Sequence, residues 1–232
     1  MHPEQALDER LAARFDAEYA DTWAATSEKY AQHGLYDAMA TFIDLAPGAR
    51  CVDLGCGTAQ LAHALQRKSP VDYIGVEQNP AIIAIAQPGA GRIIRDDIKS
   101  LAVTRAELGQ TADAVVISCM GGSWSRLTGT PDPRSIPEEE RYDLLKERDN
   151  ETRTDAFLNA PFILKERGVL LYVDRYPPHY AGMIKKSLTD FFTYLVGGEH
   201  TTLKLQVPVL KSTLHKERET DFVLMRFGTS YR

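Results

Sequence analysis

The stretch RCVDLGCGTAQLA, Arg50 to Ala62, limits the fold more than any other part of the chain. Cys51 to Leu54 read as a short buried strand that stops at Gly55 and Gly57, and a helix-forming run follows. A strand that ends at glycines and passes into a helix begins a crossover unit, and a crossover calls for a parallel neighbour. One residue breaks the apolar pattern. Asp53 stands two positions before Gly55, and a carboxylate on a buried strand costs free energy unless something pairs with it.

The same alternation continues downstream. VDYIGVE is a second strand, PAIIAIAQ a short helix with Pro80 near its start, and GRIIRDD a third strand. TRAELG is a weak helical turn and ADAVVISC a fourth strand. A Gly- and Pro-rich loop follows, then a charge-dense helical region from Glu138 to about Arg167, broken near Asp149–Asn150 or Pro161. GVLLYVD is a fifth strand and YAGMIKKSLTDFFTYLV a helix; TTLKLQVPVLKST and DFVLMRFG are two strands joined by the polar turn LHKERET. Upstream, Leu7, Leu11, Phe15, Tyr19 and Trp23 recur every four residues on one helical face. That helix frays near His33–Gly34, and a second short helix carries Leu35, Met39, Phe42 and Ile43. Strands alternating with helices predict a doubly wound α/β fold with a mostly parallel sheet covered on both faces.

Composition narrows the function classes. The 232 residues carry a net charge of −5, whereas nucleic-acid binders usually show a basic excess, so a nucleic-acid partner is disfavoured. The three cysteines, Cys51, Cys56 and Cys119, have no metal-ligand or disulfide spacing, and no metal is expected. Cys56 and Cys119 have no cationic neighbour in the sequence and read as small buried residues rather than reactive thiols. The N-terminus lacks an apolar signal core and no run approaches a membrane span. A single cytoplasmic domain without a membrane partner is the expectation; oligomeric state is not legible.

In a doubly wound sheet, ligands bind beyond the carboxyl ends of the strands, at the point where strand order reverses. Gly55 and Gly57 fit a turn there that lets a ligand lie against the main chain. The third glycine of a dinucleotide fingerprint is missing, since Gln60 occupies its place. Glu77 ends the second strand, twenty residues after Gly57, where an acid accepts hydrogen bonds from a ribose diol. Asp96–Asp97 end the third strand, where a carboxylate suits an adenine amino group. This acidic edge suits a nucleoside with a nearby positive charge better than a pyrophosphate.

These residues resemble the class I S-adenosylmethionine-dependent methyltransferases. VDLGCGTA is similar to that family's first motif, IGVEQNP to its second-strand end, RDDIKSL to its adenine-contacting turn, and ADAVVISC to its fourth strand; the resemblance spans roughly Leu35 to Gly228. It implies a Rossmann-like methyltransferase fold, with a seven-stranded sheet closed by a C-terminal antiparallel hairpin. It implies a helical cap over 1–34 and a core over 35–232 with a substrate-loop insertion at 120–150. S-adenosyl-L-methionine would be the cofactor, held by Asp53, Gly55, Cys56, Gly57, Glu77, Gln78, Asp97, Ile98 and Cys119. Asp53 would orient the glycine turn and lie near the cofactor's cationic methionine end; its other reading is a cap on the turn or the helix.

Methyl transfer depends mainly on aligning a nucleophile with an already activated methyl group, so no loud catalytic signature is expected and none is visible. Ser123, Trp124, Arg126 and Tyr176 are candidates to line an acceptor pocket, with packing under the long loop the alternative for Trp124. His179 is the candidate base, since imidazole titrates near neutrality; a solvated loop histidine is its alternative. The spacing of Tyr19 and Trp23 fits packing on the sheet, and Tyr30, off that stripe, is the lid candidate near the reacting atoms. The charged run Glu138–Arg153 reads as a solvated helical face, or else as a partner-docking surface. The expected activity is methyl transfer to an oxygen or nitrogen of a small molecule. A protein or RNA acceptor, or a cofactor-binding regulatory subunit, are the alternatives.

Overall fold

The computed structural model describes residues 3–89, 91–118, 152–175, 202–206, 212–215, 218–220 and 222–228. Two helices open the chain, α1 (Pro3–Gln32) and α2 (Leu35–Ile43). Gly34 turns between them at φ 77°, a left-handed angle that glycine adopts without steric cost. The alternation then runs β1 (Arg50–Leu54), α3 (Gln60–Lys68), β2 (Asp72–Glu77), α4 (Pro80–Ile85), β3 (Arg92–Arg95), α5 (Ala102–Leu108), β4 (Ala112–Ser118) and β5 (Leu164–Arg175). β6 (Thr202–Gln206), β7 (Ser212–His215), β8 (Arg218–Thr220) and β9 (Phe222–Gly228) complete it.

The main sheet has seven strands in the order β3-β2-β1-β4-β5-β9-β6. β1 to β5 are mutually parallel; β9 runs antiparallel to both β5 and β6. Strand order reverses at β1, which lies between β2 and β4. Any crevice beyond the carboxyl ends of these strands therefore opens beside the glycine turn.

Side-chain alternation along the strands sorts the core into two layers. Val52, Leu54, Ile74, Val76, Val115 and Ile117 point to the face shared with Leu101, Leu108 and Phe157. Cys51, Tyr73, Ala114 and Val116 point to the other, against Tyr30, Met39, Ile43, Leu61 and Leu65. Each fully buried aliphatic side chain contributes about 1.5–3 kcal/mol, so burial on both faces is what makes these strands near-continuous apolar runs. α4 starts where it does because the Asn79 side chain accepts from the N–H groups of Ala81 and Ile82, with Pro80 in the first turn.

Two expectations need correction. The helical region before β5 does not reach Arg167. Helix covers 152–159, a 3-10 turn follows over Ala160–Phe162, and β5 begins at Leu164, paired with Ala112. Pro161 cannot continue the helical hydrogen bonding, and Arg167 at φ 62° interrupts a strand that sequence reads as starting only at Gly168. The polar segment LHKERET is not a simple turn: β7 and β8 pair with each other as a separate two-stranded ribbon between β6 and β9. No helix among the described residues is long and apolar enough to cross a membrane.

Candidate functional site

The glycine turn is stitched to the end of β2. Gly55 and Gly57 sit at φ 71° and 55°, in the left-handed region. The N–H groups of Gly55 and Cys56 donate to the Val76 carbonyl at 2.8 and 3.1 Å. The Gly57 N–H donates to Glu77 Oε2 at 3.3 Å. Glu77 Oε1 accepts from Gln78 N and Asn79 N, each at 2.9 Å. One carboxylate thus binds three backbone donors and fixes the turn against the strand end, with Gln78 half-buried beside it. Cys56 packs its thiol where a Cβ at Gly75 would collide with Sγ. Burial, with the charges of Asp53 and Glu77 adding to it, pushes that thiol well above its usual range, which fits the inert reading.

Asp53 has a partner that the sequence reading missed. It is 2% exposed, and Oδ2 accepts from the Tyr73 hydroxyl at 2.7 Å. Oδ1 has no hydrogen-bond partner. Burial raises the carboxyl from 3.8 to about 7, against the lowering effect of the Tyr73 hydrogen bond and with Glu77 adding to the rise. Asp53 was expected to orient the glycine turn; the N–H groups of the turn donate to the Val76 carbonyl and to Glu77. Tyr73 lies next to Asp53 because Cys51 pairs with Tyr73 across β1 and β2, and residues two apart on a strand share a face.

Beyond β3 the two adjacent acids divide their work. Asp96 is buried and structural: Oδ2 accepts from Thr104 N and Oγ1, both at 2.8 Å, and Oδ1 accepts from Asp97 N. Asp97 is exposed and accepts from Lys99 N at 3.0 Å, while Ile98 is buried. Of the two, Asp97 is the exposed one. Asn159 holds this turn from the far side, donating to the Ile98 and Lys99 carbonyls at 2.8 and 3.0 Å. Its sequence offered no signal, since the partners lie 61 and 60 positions away. Asn159→Ala is expected to lower stability by about 1–2 kcal/mol, through two lost hydrogen bonds and unsatisfied carbonyls. Chemical denaturation, read as a shift in midpoint at constant slope, checks it.

α1 covers the glycine turn. A Cβ on Gly57 would run into the Trp23 indole. The Ser27 and Thr58 hydroxyls share a buried hydrogen bond of 2.8 Å. Ser27 Oγ also lies 3.0 Å from the Ala24 carbonyl as donor, which leaves Thr58 to donate to it. Tyr19 stacks on Trp23 at 6.4 Å, and Trp23 meets Tyr30 edge-on at 6.1 Å. Tyr30, read from sequence as the lid, is 1% exposed and packs edge-on against Phe222 at 5.0 Å. Trp23, read as sheet packing, packs against the core layer that holds Tyr30, and its indole also lies over the turn. The helical stripe located Trp23 on α1 but carried no information about which loop that face would meet.

Cys119, Ser123, Trp124, Arg126, Tyr176 and His179 lie outside the described residues, as do the 120–150 insertion and the charged run up to Glu151. Of the residues beyond β4, Asp174 is placed: it is buried, accepts from the Tyr172 hydroxyl at 2.9 Å and pairs with Arg153 at 2.9 Å.

No protein-family model matches the sequence, and no curated protein matches it. Solved structures do match. A candidate S-adenosyl-L-methionine-dependent methyltransferase from Methanococcus maripaludis superposes with TM-score 0.55 at 13% identity, covering 94% of this chain and 95% of that one. The fold is that of the S-adenosylmethionine-dependent methyltransferases. A candidate methyltransferase from Haloferax volcanii, solved in complex with the Trm112 methyltransferase activator, gives TM-score 0.55 at 13% identity over 91% of this chain and 96% of that one. The cyclase SpnF gives TM-score 0.55 at 13% identity over 86% and 81%. Within the methyltransferase fold, Asp53, Gly55, Gly57, Glu77 and Asp97 come together at one end of the parallel strands, on β1, β2 and β3 and the turns that follow them.

Proposed function

We propose that the chain binds S-adenosyl-L-methionine and transfers its methyl group to an oxygen or nitrogen of a small acceptor. The observation that carries this reading is the clamp of Glu77 on the glycine turn at the point of strand reversal, with an exposed Asp97 one strand away. The residues suit the group. In this reading Glu77 accepts from a ribose diol and Asp97 from an adenine amino group. The orphaned Asp53 Oδ1 suits a cationic ligand end. When bound, the cofactor supplies a methyl group already activated on a sulfonium. The protein's task is then to hold, orient and exclude water. Gly55 and Gly57 keep the turn low against the ligand, and α1 covers it.

One neighbour of this fold is a cyclase, and fold alone does not fix chemistry; in a second reading the same site binds the cofactor without transferring methyl groups. Binding of S-adenosylhomocysteine at one hundred times its Kd is expected to stabilise the protein by about 2.7 kcal/mol. For a chain of this size that raises Tm by about 5–10 °C. No rise at saturating ligand overturns both readings. A rise, followed by release of S-adenosylhomocysteine in a screen of small acceptors, supports the first. A rise without release on small molecules, proteins or RNA supports the second, and release only on a macromolecule overturns the small acceptor.

A further inference from the structure

Residues 207–221 lie between β6 and β9, two antiparallel neighbours that a turn of about two to five residues would join. Within them β7 and β8 pair with each other and with no strand of the main sheet. Register fixes where this ribbon stands. Phe222, the first residue of β9, lies opposite Arg175, the last of β5. Gln206, the last residue of β6, lies opposite Leu224. The chain therefore leaves and rejoins the sheet at the carboxyl end of β5, the end that also carries the glycine turn, Glu77 and Asp97. Strand order keeps the two groups apart: the candidate cofactor residues follow β1, β2 and β3, and the ribbon stands beyond β5 and β9, across the strand reversal. α1 connects them along one side of the sheet. It meets the glycine turn through Trp23 and Ser27, meets Phe222 through Tyr30, and approaches β7.

The ribbon is not patterned to cover a core. Its opposing pairs are Ser212 with Thr220, Thr213 with Glu219, and His215 with Arg218. The first two pairs fall on opposite faces, so both faces carry polar residue types. Leu214, at the irregularity between Thr213 and His215, is the one apolar residue of the two strands. A two-stranded ribbon without an apolar face is marginally stable by itself. Extra chain of that kind, kept at the ligand end of a rigid sheet, suits recognition rather than support. Resting on the cofactor reading above, we infer that β7–β8 is the acceptor-selecting wall of the site, and that it selects a polar small acceptor, one rich in hydroxyl, amino or carboxylate groups. A polar acceptor can pair with such a wall, whereas an apolar one would desolvate it without replacing the lost hydrogen bonds.

The test compares the full chain with a variant in which residues 207–221 are replaced by an Asn-Gly link, and with His215→Ala and Arg218→Ala. Each receives S-adenosylmethionine and two sets of acceptors: amino acids, amino alcohols and sugars in one, phenol, aniline and alkyl alcohols in the other. Release of S-adenosylhomocysteine by the wild type is expected to favour the polar set by at least about tenfold in kcat/KM. The link variant loses that preference, while S-adenosylhomocysteine still raises its Tm as in the wild type. The point variants keep the ribbon and raise KM for the best polar acceptor by about tenfold, with kcat held within about twofold; they decide the matter if the link variant does not fold. Preference for the second set, turnover of neither set, or kcat/KM unchanged in the ribbon variants overturns the inference, and with the Tm rise intact it leaves the cofactor reading standing. Absence of a Tm rise in the wild type overturns both.

Discussion

Gly57→Ala is expected to cost about 3–5 kcal/mol of stability. Two effects combine. An alanine at φ 55° carries a left-handed backbone penalty of about 1–2 kcal/mol. The larger part is steric: the new Cβ meets the Trp23 indole, a rigid ring held between Tyr19 and Tyr30, so α1 has to shift as a body. Gly48 separates the two effects. It has a similar angle, φ 77°, with nothing within 4 Å of a Cβ; Gly48→Ala is therefore expected to cost only about 1–2 kcal/mol. Shaving the indole with Trp23→Ala should return Gly57→Ala to that smaller figure. A double-mutant cycle by denaturant unfolding measures the coupling. Additive costs would mean that Trp23 does not rest on the turn.

Glu77→Ala is expected to cost about 3–4 kcal/mol, because one carboxylate satisfies three backbone donors and hydrogen bonds to charged groups are worth about 1.5–3 kcal/mol each, less what water recovers. Those donors belong to Gly57, Gln78 and Asn79, so the loss falls on the glycine turn and on the entry to α4 together. Glu77→Gln tests the geometry. Its carbonyl oxygen can still accept from Gln78 and Asn79, but its amide would face the Gly57 N–H donor to donor. The expected result is a smaller loss of stability with binding still weakened by about a hundredfold, on the order of 3 kcal/mol. Thermal unfolding with and without S-adenosylhomocysteine checks both variants. Ligand stabilisation equal to wild type in Glu77→Gln would remove Glu77 from the site.

What the sequence carried and what it withheld follow from the range of the interactions. β1, β2 and β4 were legible because strands buried on both faces are short apolar runs, and α2 because Leu35, Met39 and Ile43 mark one face. Asp53, Gly55, Gly57 and Glu77 could be singled out because they sit at a fixed spacing around one turn, and the structure gathers them at the ends of β1 and β2. The start of β5 was not. Lys165, Glu166 and Arg167 read as the tail of a charged helix, and the pairing of Leu164 with Ala112 overrides that local preference. The partners of the site residues were also hidden. Tyr73 reaches Asp53 from 20 positions away, Ser27 reaches Thr58 from 31 and Asn159 reaches Ile98 from 61. No local pattern encodes such contacts; they arise when the sheet brings strand ends together. The contact of Trp23 with the glycine turn was hidden for the same reason, since helical spacing gives a face but not what the face meets.

The fastening of the first helix to the turn through Trp23, Ser27 and Thr58 bears on how this protein tolerates transplantation. The leading thirty or so residues are not an interchangeable cassette. A chimera that joins a foreign leader at Leu35 would strip the roof from Gly57, unless the donor segment brings a flat ring and a hydroxyl at matching heights.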